Sequence, residues 1–599
     1  MWFWKYLKKD GWYPEEQPMF DVVIKGGTLV DGTGAPPRTA DIAIKDSLIV
    51  SADGRVDEPA GQLIDADGCV VTPGFIDVHT HYDGQATWDD ELEPSASNGV
   101  TTVVMGNCGV GFAPVRPAAT AALIDLMEGV EDIPGSALSA GMPWGRWESF
   151  PQYLDVLGQR SYAIDLAAQL PHGALRFYVM GERGAANEDA TADDLAAMAR
   201  LTREAFDAGA VGFTTSRTIG HRAKSGRPVP GTFAPPEELL AIAEAVGGAG
   251  HGVLEAIVAG TIGSLEGLGG EYTKPVDEVP LLAGMSRVSG RPVTFTVAQL
   301  FEDPDQWRLV LKAAADSEGA CLRPQIIPRS VTVMTSLDTY HMFMFRPSYR
   351  RLARLPLAER VVEMRKPEIR RAILAESDER DPVPNFAAGL VRLFTLALPV
   401  TFPLSAPVNY EPSLDQSVFA TASAQGKDPQ AHMYDLLLAG DGSAFYAVLG
   451  SNFVGGNLDV CKEMLLDANT VTGLSDAGAH VNLISDCSVS TFHLTHWARD
   501  RADRLPLEFV VAKLTARNAE LYGFADRGSL VPGQRADVNV IDLDRLRIRE
   551  PFVRHDLPTG ESRILQPASG YVATIVSGEI TRRHDQDTGR RPGQLVRGR

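Results

Sequence analysis

Cysteine is scarce in this chain: Cys69, Cys108, Cys321, Cys461 and Cys487 are the only five in 599 residues. An odd number, widely scattered, excludes a disulfide framework and suits a reducing compartment, so the expected location is cytoplasmic. Long apolar runs are missing too. No stretch approaches the roughly 18 apolar residues of a membrane span. The aromatic, basic opening MWFWKYLKKDGWYPEEQP has no apolar h-region and no small-residue cleavage site, so it does not read as a signal peptide. Residues 1–18 read instead as an arm before the first patterned strand. Positive charge is in deficit: 56 Lys and Arg against 77 Asp and Glu leave a formal charge of −21. That balance argues against nucleic acid or an anionic membrane as a partner. There is no internal repeat, and the one biased tract is the basic tail RRPGQLVRGR within 584–599.

What is present centres on VTPGFIDVHTHYD, residues 71–83. The apolar run opened by Pro-Gly fits a strand buried on both faces. Residues two apart on a strand point the same way, so His79 and His81 present both imidazoles to one side. That is half of a metal site. By itself His-x-His is a weak signal, since solvated loop histidines are common.

The chain on either side is orderly. FDVVIKGGTLVDGTG, TADIAIKDSLIVSADG and QLIDADGCVV are short β-branched runs between turn residues, and a similar register returns in 528–548 and 569–583. Both termini are therefore expected to build one small β-sandwich domain, residues 19–71 with 527–583. Between them, residues 72–526 alternate apolar runs with helical patterns, the signature of a parallel sheet or barrel. Eight strand candidates stand out: 72–79, 101–106, 164–170, 210–216, 252–258, 292–299, 320–326 and 471–475. Eight such units predict an α/β fold of the (β/α)8 TIM barrel type. A doubly wound sheet would place a Gly-rich phosphate turn after its first strand, and HTHYDG stands there instead. The seventh and eighth candidates lie about 145 residues apart, far beyond an ordinary connection. An insertion over about 327–470 is expected, as a lid or an oligomer contact, which keeps a homo-oligomer open.

Barrel function collects where strands end at the C-terminal face. His79 and His81 follow the first strand, Cys108 the second in VVMGNCGVGFAP, and Asp476 the last in TVTGLSDAGAH. Two imidazoles, a thiolate and a carboxylate are the donors Zn²⁺ prefers. Singly, Cys108 also fits a small core residue and Asp476 a helix cap. Their joint occurrence at strands one, two and eight favours the metal. His480, one turn beyond Asp476, reads as a supporting or packing group.

GGTLVDGTG, PGFIDVHTH, GVTTVVMGNCGVGFAP, MEGVEDIPG, GLSDAGAHV and KLTARNAELYGFADRGSLVPGQRADVNVID together resemble the amidohydrolase superfamily, and within it the D-aminoacylase (N-acyl-D-amino-acid deacylase) branch. The likeness runs over most of residues 19–580. It implies His79, His81, Cys108 and Asp476 as zinc ligands, a zinc-activated water that attacks an amide carbonyl, and Asp476 as the group that takes the water proton and returns it to the leaving nitrogen. The departure is equally specific. The family's fifth and sixth strands each carry a histidine ligand, whereas GVLEAIV and PVTFTVAQ have none, and Gln299 stands where the family has lysine. One zinc per chain is therefore expected rather than two.

The remaining candidates concern a small-molecule amide substrate. Glu255 on strand five suits either substrate binding or ligation. Arg217 and His221 follow the fourth strand, and Arg323 lies on the seventh; arginine suits a bidentate grip on a carboxylate. Gln299 joins them. His172 and Arg176 match a family segment without a ligand role, His251 sits at the wrong end of its strand, and His341 lies in the insertion. Three functions compete: a zinc hydrolase of a linear N-acyl amide, the same centre acting on a cyclic amide, carbamate or lactone, and a non-catalytic barrel used for binding.

Overall fold

The computed structural model describes residues 19–265, 270–379 and 393–599; the arm expected over residues 1–18 lies outside them. Eight parallel strands form the central sheet: β1 (Phe75–Thr80), β2 (Val100–Met105), β3 (Asp165–Pro171), β4 (Gly212–Ser216), β5 (Val253–Ile257), β6 (Val293–Thr296), β7 (Leu322–Ile326) and β8 (Val471–Thr472). They pair in chain order from β1 to β8. The seam between first and last strands closes through a parallel bridge from Thr80 to Ala477. β2, β3, β4 and β5 are buried at every position, as expected of strands covered on both faces. Helices follow most strands, and capping boxes at Ser149 and Thr191 start two of them, Phe150–Gly158 and Ala192–Asp207.

The first strand expected from sequence proves to be two. Val70–Pro73 belongs to a seven-stranded sheet, and Phe75 opens β1. Gly74 makes the passage possible, because a Cβ there would lie 2.1 Å from Thr101 Oγ1. In the seven-stranded sheet, Val538–Ile541 runs antiparallel to both Val70–Pro73 and Tyr571–Val576, so the two ends of the chain meet in one ladder. A four-stranded sheet of Leu48–Ser51, Ile42–Lys45, Phe20–Lys25 and Ala60–Asp65 packs with it around a shared core that includes Val22, Ile44, Val538 and Ile575.

The basic tail is built into the barrel. Leu595–Val596 pairs with Leu166 and Ala167 of β3, while β4 pairs with β3 only from Gln169 onward. The tail thus fills the gap at the N-terminal end of the sheet. Gly593 is needed there, since a Cβ would meet Ile164 O at 2.3 Å. Asp165 ties this end together: its buried carboxylate holds Arg527 at 2.6 Å and Arg535 at 2.9 Å and accepts from the Gln594 N–H at 2.7 Å. Removing one partner of a buried pair leaves an uncompensated charge. Asp165→Asn is expected to lower stability by about 3 kcal/mol, read from the denaturation midpoint; a loss within the scatter of surface substitutions would show the cluster to be dispensable.

The insertion between β7 and β8 contains a three-stranded sheet of Thr332–Thr335, Tyr446–Leu449 and Thr401–Pro403 and a core of its own around Met342, Phe343, Tyr434 and Leu437. Val331, Val333, Leu393, Gly450 and Ser451 of this segment wall a cavity at the C-terminal end of the barrel. The insertion therefore supplies part of the wall of the barrel mouth.

Candidate metal centre

Barrel closure assembles the centre. The Asp476 N–H donates to His79 O at 3.2 Å and the His81 N–H to Ala477 O at 2.8 Å, which sets the end of β1 beside the turn after β8. The two imidazoles, both fully buried, lie 5.5 Å apart between ring centroids. Cys108 reaches them from the turn after β2, its Sγ 3.4 Å from His79 Nε2 and 3.7 Å from His81 Nε2. Asp476 Oδ1 stands 3.4 Å from His79 Nε2 and 3.8 Å from His81 Nε2. Donor atoms on a tetrahedron of about 2.0–2.3 Å bonds are themselves roughly 3.3–3.8 Å apart, so each of these separations from an imidazole is of the size a shared ion needs. His79, His81 and Cys108 form a trio whose ligand atoms all lie within 4.8 Å of one another. Asp476 stands outside that trio, on the cavity wall, 19% exposed.

The backbone accepts strain to make this geometry. Cys108 has φ 57°, Asp476 φ 49° and His480 φ 47°, left-handed conformations unusual for non-glycine residues. Asn107 holds the Cys108 turn, its amide donating to Thr80 O and Val104 O at 3.1 and 3.0 Å and accepting from Gln169 at 2.8 Å.

Two residues that sequence reasoning passed over orient the imidazoles. Gln325 Oε1 on β7 lies 2.7 Å from His79 Nδ1. That oxygen only accepts, so Nδ1 carries the proton and Nε2 offers its lone pair to the centre. Gln325 sits two residues beyond Arg323, on the same side of the strand and nearer its C-terminal end, the position that the strand-end rule favours. Glu131, which ends the helix Thr120–Glu131, lies 3.5 Å from His81 Nδ1 and 3.6 Å from His480 Nε2. Its only signal in sequence is the MEGVEDIPG motif. Gln325→Leu, a near-isosteric change, is expected to weaken metal binding 10- to 100-fold with little change in stability; metal titration against a competing chelator reads the effect.

The electrostatics favour a cation. Burial drives the His79 pKa down to about 4, with Asp476 opposing it. Burial also lowers that of His81, but Glu131 and Asp476 outweigh it and bring it up to about 9. The Cys108 thiol is pushed far up, first by burial and then by the charges of Glu131, Glu255 and Asp476. Burial would raise Asp476, yet His81, His79 and His480 hold it below the ordinary carboxylate range. Glu131 rises to about 7 and Asp83 to about 6, both chiefly through burial. Buried carboxyls thus outnumber the positive groups around the donors. A dication balances them and reverses the penalty on the thiolate.

The other expected site residues divide. His221 faces the cavity, its Nδ1 3.0 Å from Ser216 Oγ. Glu255 points inside the barrel, buried, both oxygens without a close hydrogen-bond partner, and burial raises its carboxyl to about 8. Arg217 turns away from the cavity to pair with Glu278 and donate to Ala234 O at 2.9 Å. Gln299 is spent on the chain across the mouth, its backbone N–H donating to Asn452 Oδ1 at 2.7 Å and its amide to Pro304 O at 3.3 Å. Arg323 bonds back to Leu322 O at 3.1 Å, below the level of the donors. None of these three lines the cavity, and each has a partner that alternation along a strand does not reveal. His172 and Arg176 share Glu238, each 2.8 Å from it, and His341 packs edge-on against Tyr349 inside the insertion.

A family model described as "Amidohydrolase family" matches residues 62–582. The chain belongs to the amidohydrolase family. It is 39% identical over 201 residues to a D-aminoacylase of Alcaligenes xylosoxydans xylosoxydans; the aligned stretch is 34% of this chain and 38% of that relative. Among solved structures, it resembles one of D-aminoacylase concerned with the binuclear metal centre, its one-metal activation and second-metal attenuation, at a TM-score of 0.61 and 24% identity over 97% of this chain and 100% of the other. It also resembles an N-acyl-D-glutamate deacylase from Bordetella bronchiseptica, complexed with zinc and a phosphonate inhibitor, at a TM-score of 0.60 and 23% identity over 96% and 99%. These two likenesses establish the barrel fold. Among the described residues no helix is long and apolar enough to cross a membrane.

Proposed function

We propose that the protein is a zinc-dependent amidohydrolase that cleaves a linear amide bond of an N-acyl compound, with one metal per chain held by His79, His81, Cys108 and Asp476. The observation that carries this reading is that Cys108 Sγ and Asp476 Oδ1 each stand 3.4–3.8 Å from the Nε2 atoms of both His79 and His81. A bound dication supplies Lewis acidity and acidifies a water. The chain's residues do the rest. Gln325 fixes the tautomer of His79, and Glu131 steadies His81. Asp476 faces both the donors and the cavity, so its carboxylate takes the proton of the attacking water and delivers it to the leaving nitrogen. His480 and His221 line the same space and stay neutral, with pKa values pushed down to about 4 and about 3 by burial. One metal rather than two accords with β5 and β6, which present Glu255, Thr294 and Thr296 in place of imidazoles.

Metal analysis of protein purified without chelator, joined to a turnover panel of N-acyl-D- and L-amino acids and their amides, hydantoins and lactones, tests this directly. About one zinc per chain and hydrolysis of a linear N-acyl amide are expected. Two metals refute the single-metal centre; no metal removes the mechanism.

A further inference from the structure

Resting on that reading, we propose that the substrate is a neutral, apolar N-acyl compound whose amine side carries no free carboxylate. The cavity above the donors has a volume of about 340 Å³. That is ample for a small organic molecule. Apolar side chains reach it from several strand ends: Ile257 at the end of β5, Ile262 beyond it, Leu300 after β6, Val331 and Val333 after β7, and Ile484 after β8, with Thr261, Thr296 and Ser451 as neutral polar neighbours. The apolar character continues to the rim, where Phe301 and Leu393 are 48% and 50% exposed.

The charged side chains on the wall, Asp476 and Glu302, are both acids. Glu302 is fixed in place by the Ser264 N–H at 2.8 Å. Among the described residues no lysine or arginine lines the cavity. The arginines closest in sequence to the strand ends are already neutralised. Arg217 is paired with Glu278. Arg329, just past β7, is fully buried, lies 2.8 Å from Asp486 and 3.1 Å from Ser485 O, and covers the Tyr410 ring at 3.8 Å. A substrate carboxylate held against these walls, away from the donors, would lose its hydration among acids and hydrocarbon with no lysine or arginine of the described residues to replace it. An alkyl or aryl group would lose only unfavourable water contact. The same walls therefore select against the free amino acid's charge and for its neutral derivatives.

The closely matched pair N-hexanoyl-leucinamide and N-hexanoyl-leucine, each as both enantiomers, differs at that position in charge and in the two N–H donors of the amide. With the zinc-loaded full chain, kcat/KM is expected to favour the amide at least tenfold. Shortening the acyl chain is expected to cost roughly fourfold per methylene. Val333→Arg, a wall substitution away from the donors, is expected to narrow or invert the preference. If the unsubstituted protein takes the acid as well as or better than the amide, the inference is overturned. If neither compound is cleaved although zinc is bound, calorimetric binding separates the two failures. Tenfold tighter binding of the amide upholds the neutral pocket while the hydrolase reading falls; equal or reversed affinity, or no binding by either, overturns the pocket assignment as well.

Discussion

Asp476→Asn is expected to reduce kcat by about three orders of magnitude or more, because it removes both a metal-facing carboxylate and the proton carrier. The substitution keeps the shape of the side chain, so steric explanations do not enter. It also keeps the backbone bond from Asp476 N–H to His79 O, which helps close the barrel between β1 and β8. The chemical difference is confined to charge and basicity. In the folded protein His81, His79 and His480 hold this carboxyl ionised despite its burial, and an amide can neither carry that charge nor accept the proton. Metal content is expected to fall less than activity, since His79, His81 and Cys108 remain as a trio within 4.8 Å. Turnover within a few-fold of the parent would dismiss Asp476 as the proton carrier.

Cys108→Gly is expected to cost zinc affinity by at least two orders of magnitude, and activity with it, while leaving the fold intact. Cys108 adopts φ 57°, a conformation glycine enters without penalty, so the backbone gains what the lost side-chain packing removes. Its Sγ faces both imidazoles, at 3.4 and 3.7 Å. Without it the two histidines have only a carboxylate to complete the site. Cys108→Ser, which retains a weaker donor at the same φ, is expected to fall between the two. Competition with a chromogenic chelator and a thermal midpoint measured on the same samples check both halves. A glycine variant that binds zinc as the parent does would place the ion elsewhere.

Together these variants distinguish a centre built by three strand ends from one carried by the histidine pair alone. The comparison matters because β5 and β6 lack imidazoles. Glu255 occupies the inward position on β5, with its carboxyl raised to about 8 by burial, and Thr294 and Thr296 occupy β6.

Much of this was legible along the chain because its cause is local. Alternation places His79 and His81 on one side of β1 whatever the rest of the molecule does, and apolar runs of strand length mark all eight barrel strands to within a few residues. Cys108 and Asp476 could be picked out because the C-terminal ends of barrel strands converge by topology. Glu131, Gln325, the occupied side chains of Arg217 and Gln299, and the seating of 593–598 against β3 were not legible. Each depends on a partner remote in sequence: Gln325 lies 246 positions from His79 and Gln594 lies 429 from Asp165. Periodicity reports which face a residue occupies, since that follows from backbone geometry. It does not report who stands opposite, since that is settled only when the barrel closes and each buried polar group must find its counterpart.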